Sequence, residues 1–81
     1  MPNYDKVPIE YMKSDVKNYI ENGTIYGDFL YSLFCNDLMM VYAHADKENK
    51  RNLDEWTTFL YNYAPKDCWG SEKKVKNWDG L

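Results

Sequence analysis

The chain has 81 residues, with ten Lys and Arg against thirteen Asp and Glu and a formal net charge of −3. Hydrophobic residues make up 44% and aromatics 17%, too apolar a mixture for a disordered chain, and the length suits one domain. No apolar run approaches the roughly eighteen residues of a membrane span, and Met1-Pro2-Asn3-Tyr4-Asp5 lacks the basic, then apolar, pattern of a signal peptide. Net acidity also works against general binding of a phosphate backbone, so direct nucleic-acid binding is not expected.

Residues 1–8 read as an extended arm, because Pro2 and Pro8 both disfavour helix at the residue before them. Ile9, Met12, Val16, Tyr19 and Ile20 then recur at helical spacing, which predicts an amphipathic helix ending near Asn22 with Gly23 as its C-terminal cap. After a turn over Gly23–Gly27, Asp28 is expected to cap a second helix that buries Phe29, Leu30, Leu33 and Phe34. Asn36-Asp37 interrupts the apolar run, and either residue can cap a third helix burying Leu38, Val41, Tyr42 and Ala45. The alternative is one helix over 28–45, apolar nearly all round and central in the fold. Asp46 caps a fourth helix, with Asn49 three residues on and Leu53, Trp56, Leu60 and Tyr63 on its inner face; Pro65 stops it. Ser71 caps a short last helix carrying Val75 and Trp78, and residues 79–81 are expected to fray. No segment alternates in the manner of a strand. The fold class is all-α: a single domain over 1–81, four to five short helices around an aromatic-rich core.

The chemistry-bearing residues are few. Cys35 and Cys68, with no signal peptide, read as free thiols. Two Cys and the single histidine, His44, are too scattered for a zinc site. Gly23-x-x-x-Gly27 lacks the Lys-Ser/Thr pair of a phosphate loop, and no other motif calls for a metal or cofactor. His44 is spaced seven residues from Asp37 and four from Glu48, a geometry that would orient it only if one helix ran through all three. No thiol-protease context surrounds either cysteine, and the neighbours Asp54 and Glu55 point apart on a helix. A catalytic role is therefore not expected. Lys73, Lys74 and Lys76, with Trp69 and Trp78, have the composition of a stacking and phosphate-binding platform, which opens an alternative as a small-ligand binder.

The residues that do not fit the stripes are more telling. Tyr11, Tyr31, Met39, Met40 and Tyr61 fall off the predicted inner faces, and Tyr26 sits in a turn. Either the core absorbs them or they form a surface for a partner or a second copy, since exposed Tyr and Met give adaptable apolar area. Asn36, Asp37, Asp46, Asn49 and Ser71 lie where helix ends need acceptors, or else form a polar recognition site. Trp69, in Cys68-Trp69-Gly70-Ser71, reads as an anchor for the last helix, with a binding hot spot as the alternative.

Several short motifs, spread over about three quarters of the chain, carry a resemblance. They are Tyr19-Ile20-Glu21-Asn22-Gly23, Gly27-Asp28-Phe29-Leu30, Asn36-Asp37-Leu38, Ala45-Asp46 with Asn49, and Leu53. The most specific block is Tyr61-Asn62, Pro65, Cys68-Trp69-Gly70-Ser71, Val75 and Trp78. The chain resembles a family of small proteins of unassigned activity encoded by phages, prophages and plasmids. It departs where Ile25-Tyr26 replaces a pair of prolines and where His44 replaces a frequent arginine. The resemblance implies a mobile-element accessory protein in a bacterial host cytoplasm. With no catalytic kit and surplus Tyr and Met, the leading expectation is a non-enzymatic protein that binds a host protein. In its most specific form it inhibits a bacterial defence system, as an anti-CRISPR does, by steric occlusion of a nucleic-acid-binding target. The alternatives are a protein that sequesters a nucleotide second messenger and a structural or regulatory homodimer.

Overall fold

Gly23 ends the first helix as its position predicts. It adopts φ 84°, a left-handed conformation that side chains resist, and its N–H donates to the Tyr19 carbonyl at 2.8 Å. The computed structural model describes residues 2–81; Met1, the first residue of the expected arm, lies outside them. The described residues form six α-helices and no strand. They are α1 (Lys13–Asn22), α2 (Asp28–Phe34), α3 (Leu38–His44), α4 (Lys47–Arg51), α5 (Leu53–Tyr63) and α6 (Glu72–Asn77). The all-α class follows the sequence periodicity, and four of the helices reach seven residues or more.

The helix ends show where local chemistry prevailed. Asn36 takes φ 60°, a left-handed angle that Asn tolerates better than most residues, and it closes α2. Asp37 then caps α3, its carboxylate accepting from the Met40 N–H at 3.3 Å. The single helix over 28–45 is therefore excluded. Asp46 caps α4 through the Asn49 N–H at 2.8 Å, and Ser71 caps α6 through the Lys74 N–H at 3.1 Å, both as predicted. Asn52, at φ −110° and ψ 18°, splits the predicted fourth helix into α4 and α5, which is why there are six helices. Asp28 is not a cap: Gly27 holds that position at φ 83°, and Asp28 is the first helical residue. The first helix also begins later than its stripe, after a 3₁₀ turn over Glu10–Met12.

At both ends, described residues are tied into the fold. Within the expected arm, Tyr4–Lys6 forms a 3₁₀ turn, and Val7 is buried, as is Ile9 just after it. The Tyr4 hydroxyl donates to Glu21 at 3.0 Å. At the other end, residues 79–81, expected to fray, return to α1. The Leu81 N–H donates to the Ile20 carbonyl at 3.0 Å, and the Trp78 indole N–H is shared between the Tyr19 and Ile20 carbonyls at 3.1 and 3.2 Å. Both carbonyls lie in the last turn of α1, where helix carbonyls run out of helical partners; Tyr19 already accepts from the Gly23 N–H, and Ile20 takes its partners from the returning C-terminal segment. Gly23 and Gly80 allow the approach: a Cβ at Gly23 would stand 2.8 Å from the Trp78 carbonyl, and one at Gly80 would collide with the Glu21 carbonyl.

The core is built from aromatics whose polar atoms are paired. Tyr19 meets the Phe34 ring edge-on at 4.9 Å, and its hydroxyl donates to the Cys68 carbonyl at 2.6 Å. Trp56 packs against Phe29, and its indole N–H donates to the buried Asn49 side chain at 3.0 Å. Phe59, which no predicted stripe included, is fully buried. Both thiols are free, as expected, and both are buried.

Candidate functional site

Helix α3 is seven residues long and turns one narrow face inward. Val41 is its one buried residue, followed by Ala45 just past its end, which lies on the same face one turn later. Leu38 and Tyr42, both predicted to point inward, are instead 73% and 62% exposed. Among the described residues, no element covers the flank of this short helix that carries them. Lys50 places its ammonium over the Tyr42 ring, 4.1 Å from the centroid. Met39, Met40 and, on α5, Tyr61 are exposed as well, so the core did not absorb these off-stripe residues.

Between α3 and α5 runs an apolar groove of about 510 Å³, a size that suits small ligands and side-chain anchors. Leu38 and Val41 form one wall; Leu53, Leu60 and Tyr61 form the other. No charged side chain lines it. Thr57 and Thr58 also line it, and their hydroxyls turn back onto the Asp54 carbonyl at 2.8 Å each, which satisfies them within α5 and leaves the wall apolar. Trp69 reaches the groove as well. Its loop is pinned by the Gly70 N–H donating to the Phe34 carbonyl at 2.8 Å, and its own indole N–H is buried without an acceptor among the described residues.

A second cleft of about 600 Å³ lies on the other side of the Asn36-Asp37-Leu38 turn, and Asn36 and Leu38 line both hollows. Its walls carry the carboxylates Asp28, Asp37 and Glu72, together with Tyr31, Cys35, Met39, Met40 and His44, and no Lys or Arg. Tyr31 is half-buried and donates to Glu72 at 2.8 Å. That bond, helped by desolvation, pushes its phenol up to about 12. Burial pushes the Cys35 thiol up, and pushes Cys68 up to about 12. Cys35 and His44 thus share a cleft, but the thiol is held protonated, the opposite of what an activated nucleophile needs. Helix α3 stops at His44, so Glu48 does not share its helix. Among the described residues no group of three or more His, Cys, Asp or Glu is placed to hold a metal ion.

The fold brings Tyr31, Asn36, Asp37, Met39 and Met40 together around the second cleft, and Asn36, Tyr61 and Trp69 around the groove. Tyr11 and Tyr26 are exposed but line neither hollow. The lysine and tryptophan platform is not assembled. Lys73, Lys74 and Lys76 line neither hollow; Lys74 reaches the Lys66 carbonyl at 3.4 Å and Lys76 lies 3.7 Å from Glu72. Trp69 faces the groove while Trp78 is committed to α1. Asp46, Asn49 and Ser71 serve helix ends and the core. Sequence reasoning missed Leu38, Thr57 and Thr58 as groove residues, because their exposure depends on where α3 and α5 sit. It also missed the Asn49–Trp56 bond, although a spacing of seven residues was a usable signal. In comparisons with known proteins, no family model, curated protein or solved structure matches the chain. No helix is long and apolar enough to cross a membrane among the described residues.

Proposed function

We propose that the protein is a non-enzymatic binding module that covers part of a partner protein with the face formed by α3 and α5. The observation that carries this reading is the exposure, above 70% each, of Leu38 and Tyr61 on the two walls of an apolar groove and of Met39 in the adjoining cleft. Exposed large apolar side chains gathered about a groove often mark an interaction surface. The net charge of −3 and the carboxylates beside the groove favour a partner with a basic surface, the usual character of nucleic-acid-binding proteins. With the resemblance to phage and plasmid proteins, this makes a bacterial defence protein the proposed partner and steric occlusion the proposed mechanism, in a host cytoplasm.

The test compares capture by the wild-type chain with capture by a Leu38→Asp, Tyr61→Asp double variant, from hosts that carry defined defence systems. Expression of each version is then scored for restored phage plating on those hosts. The expected result is one partner held by the wild type and lost by the variant, with plating restored by the wild type alone. Equal behaviour of the two versions overturns the reading. Under the nucleotide alternative, cyclic nucleotides raise the melting temperature; under the homodimer alternative, the chain sediments as a dimer.

A further inference from the structure

The groove and the acidic cleft are neighbours with opposite chemistry. One is apolar and uncharged; the other carries carboxylates and no Lys or Arg. They share the Asn36-Asp37-Leu38 turn as a common wall. We infer that the two hollows act as one composite site for a basic, apolar peptide segment of a partner. A large apolar side chain fills the groove beside Leu38 and Trp69, and an adjacent Arg or Lys enters the cleft beside Asp28 and Asp37. This rests on the protein-binding reading above and specifies the chemistry of its partner.

Three observations support that occupant. First, the carboxylates are available. The ion pairs among the described residues are Lys13 with Asp5 and with Glu10, and Lys76 with Glu72. Asp28 has no cation beside it, and Asp37 spends one oxygen on the Met40 N–H. Glu72 is the most committed, between Tyr31 and Lys76, and acts as the back wall. Second, the wall between the hollows is fixed. The left-handed angle at Asn36 and the cap at Asp37 set it in one conformation, so little ordering cost falls on binding. Third, Met39 and Met40 line the cleft, and their unbranched thioethers can follow the aliphatic stem of an Arg or Lys while the carboxylates meet its head. A second copy of the chain suits this face poorly, since a two-fold contact centred on it would set one carboxylate-lined patch, with no Lys or Arg, against another.

The experiment is an amide and indole NMR titration of the full chain with three blocked hexapeptides. Gly-Arg-Leu-Phe-Arg-Gly carries both features; one control replaces both Arg by Glu, the other replaces Leu-Phe by Ser-Ser. The expected result is that only the first peptide shifts the amides of Asn36 and Leu38 together with the Trp69 indole, and that added salt weakens it. An Asp28→Asn, Asp37→Asn double variant keeps the α3 cap, because Asn caps as well as Asp, and is expected to bind that peptide about tenfold more weakly. Equal binding of either control, no shift with peptide at about 5 mM, or unchanged affinity of the double variant overturns the composite site. So does a dimer in sedimentation that Leu38→Asp dissolves, since the occupant is then a second copy. Partner capture and phage plating are read separately, so the composite site can fall while the binding module stands.

Discussion

The end of α1 and the face of α3 treat similar side chains in opposite ways. At the end of α1, the Trp78 indole donates to two carbonyls, the Leu81 N–H donates to Ile20, and two glycines let the backbones touch. At α3, Leu38 and Tyr42 stand in solvent beside a hollow, and the Trp69 indole N–H has no acceptor among the described residues. Both regions are rich in large apolar residues. The difference is whether a second segment returns to cover them. The C-terminal segment crosses back over α1, and among the described residues no segment crosses the outer flank of α3. In the proposed function, the cover that the chain lacks at α3 comes from a partner.

The sharpest way to break this contrast is from inside the sealed part. Trp56→Ala removes the largest fully buried side chain and strands the buried Asn49 amide. A cost of about 3–5 kcal/mol for the cavity, with about 1–3 more for the unpaired amide, rivals the roughly 5–15 kcal/mol that holds a domain together. Urea unfolding is expected to find the variant largely unfolded; a stability loss near zero would contradict the packing described. Next in size is Gly23→Ala. It forces a side chain into a left-handed angle, at about 1–2 kcal/mol, and pushes against the Trp78 carbonyl. The expected signature is faster hydrogen exchange at the Trp78 indole and the Leu81 amide, with α3 and α5 unaffected.

The open part is expected to answer differently. Leu38→Asp and Tyr61→Asp change side chains that are already in water, so stability moves by no more than about 0.5 kcal/mol each while partner capture is lost. A destabilisation as large as that of a core variant would mean that these residues belong to the fold rather than to a binding face.

Alkaline pH probes the sealed part by another route. Cys68 holds its proton to about pH 12 in the fold, against an ordinary value of 9.0. Its contribution to stability is full below pH 9 and is lost as the pH rises from 9 toward 12. Melting temperature is expected to fall through that window, and Cys68→Ala should flatten part of the fall. At pH 8 a thiol reagent is expected to leave Cys68 unmodified until the chain unfolds. The smallest effect belongs to Tyr31: in an ultraviolet titration its phenol ionises near pH 12 rather than the ordinary 10.0, and a Glu72→Gln variant brings it down.

Much of the fold was legible as pattern. Apolar spacing of three and four marks α1, α2 and α5 because a helix repeats every 3.6 residues and one face must leave water. Asp37, Asp46, Ser71 and Gly23 mark helix ends because their side chains, or the lack of one, satisfy local backbone needs. The misreadings share one cause. Tyr42 and Leu38 lie on a helical stripe, but a stripe says only which residues face the same way. It does not say that another element stands there to cover them. Asp79-Gly80-Leu81 reads as a loose end because its partners, the carbonyls of α1, are distant in sequence. Trp69 reads as an anchor, yet its ring also lines the groove, a place defined by α3 and α5 together.

The sequence by itself determined an all-helical chain, the caps at Gly23, Asp37, Asp46 and Ser71, its free thiols and its surplus of aromatic and methionine side chains, because each of these is a matter of local spacing and side-chain chemistry. The tertiary structure decided which of those side chains are core and which are surface. It sealed the end of α1, left α3 uncovered, and set an apolar groove against an acidic cleft across the Asn36-Asp37-Leu38 turn. Coverage is a relation between segments far apart in the chain, and it exists only once they have met.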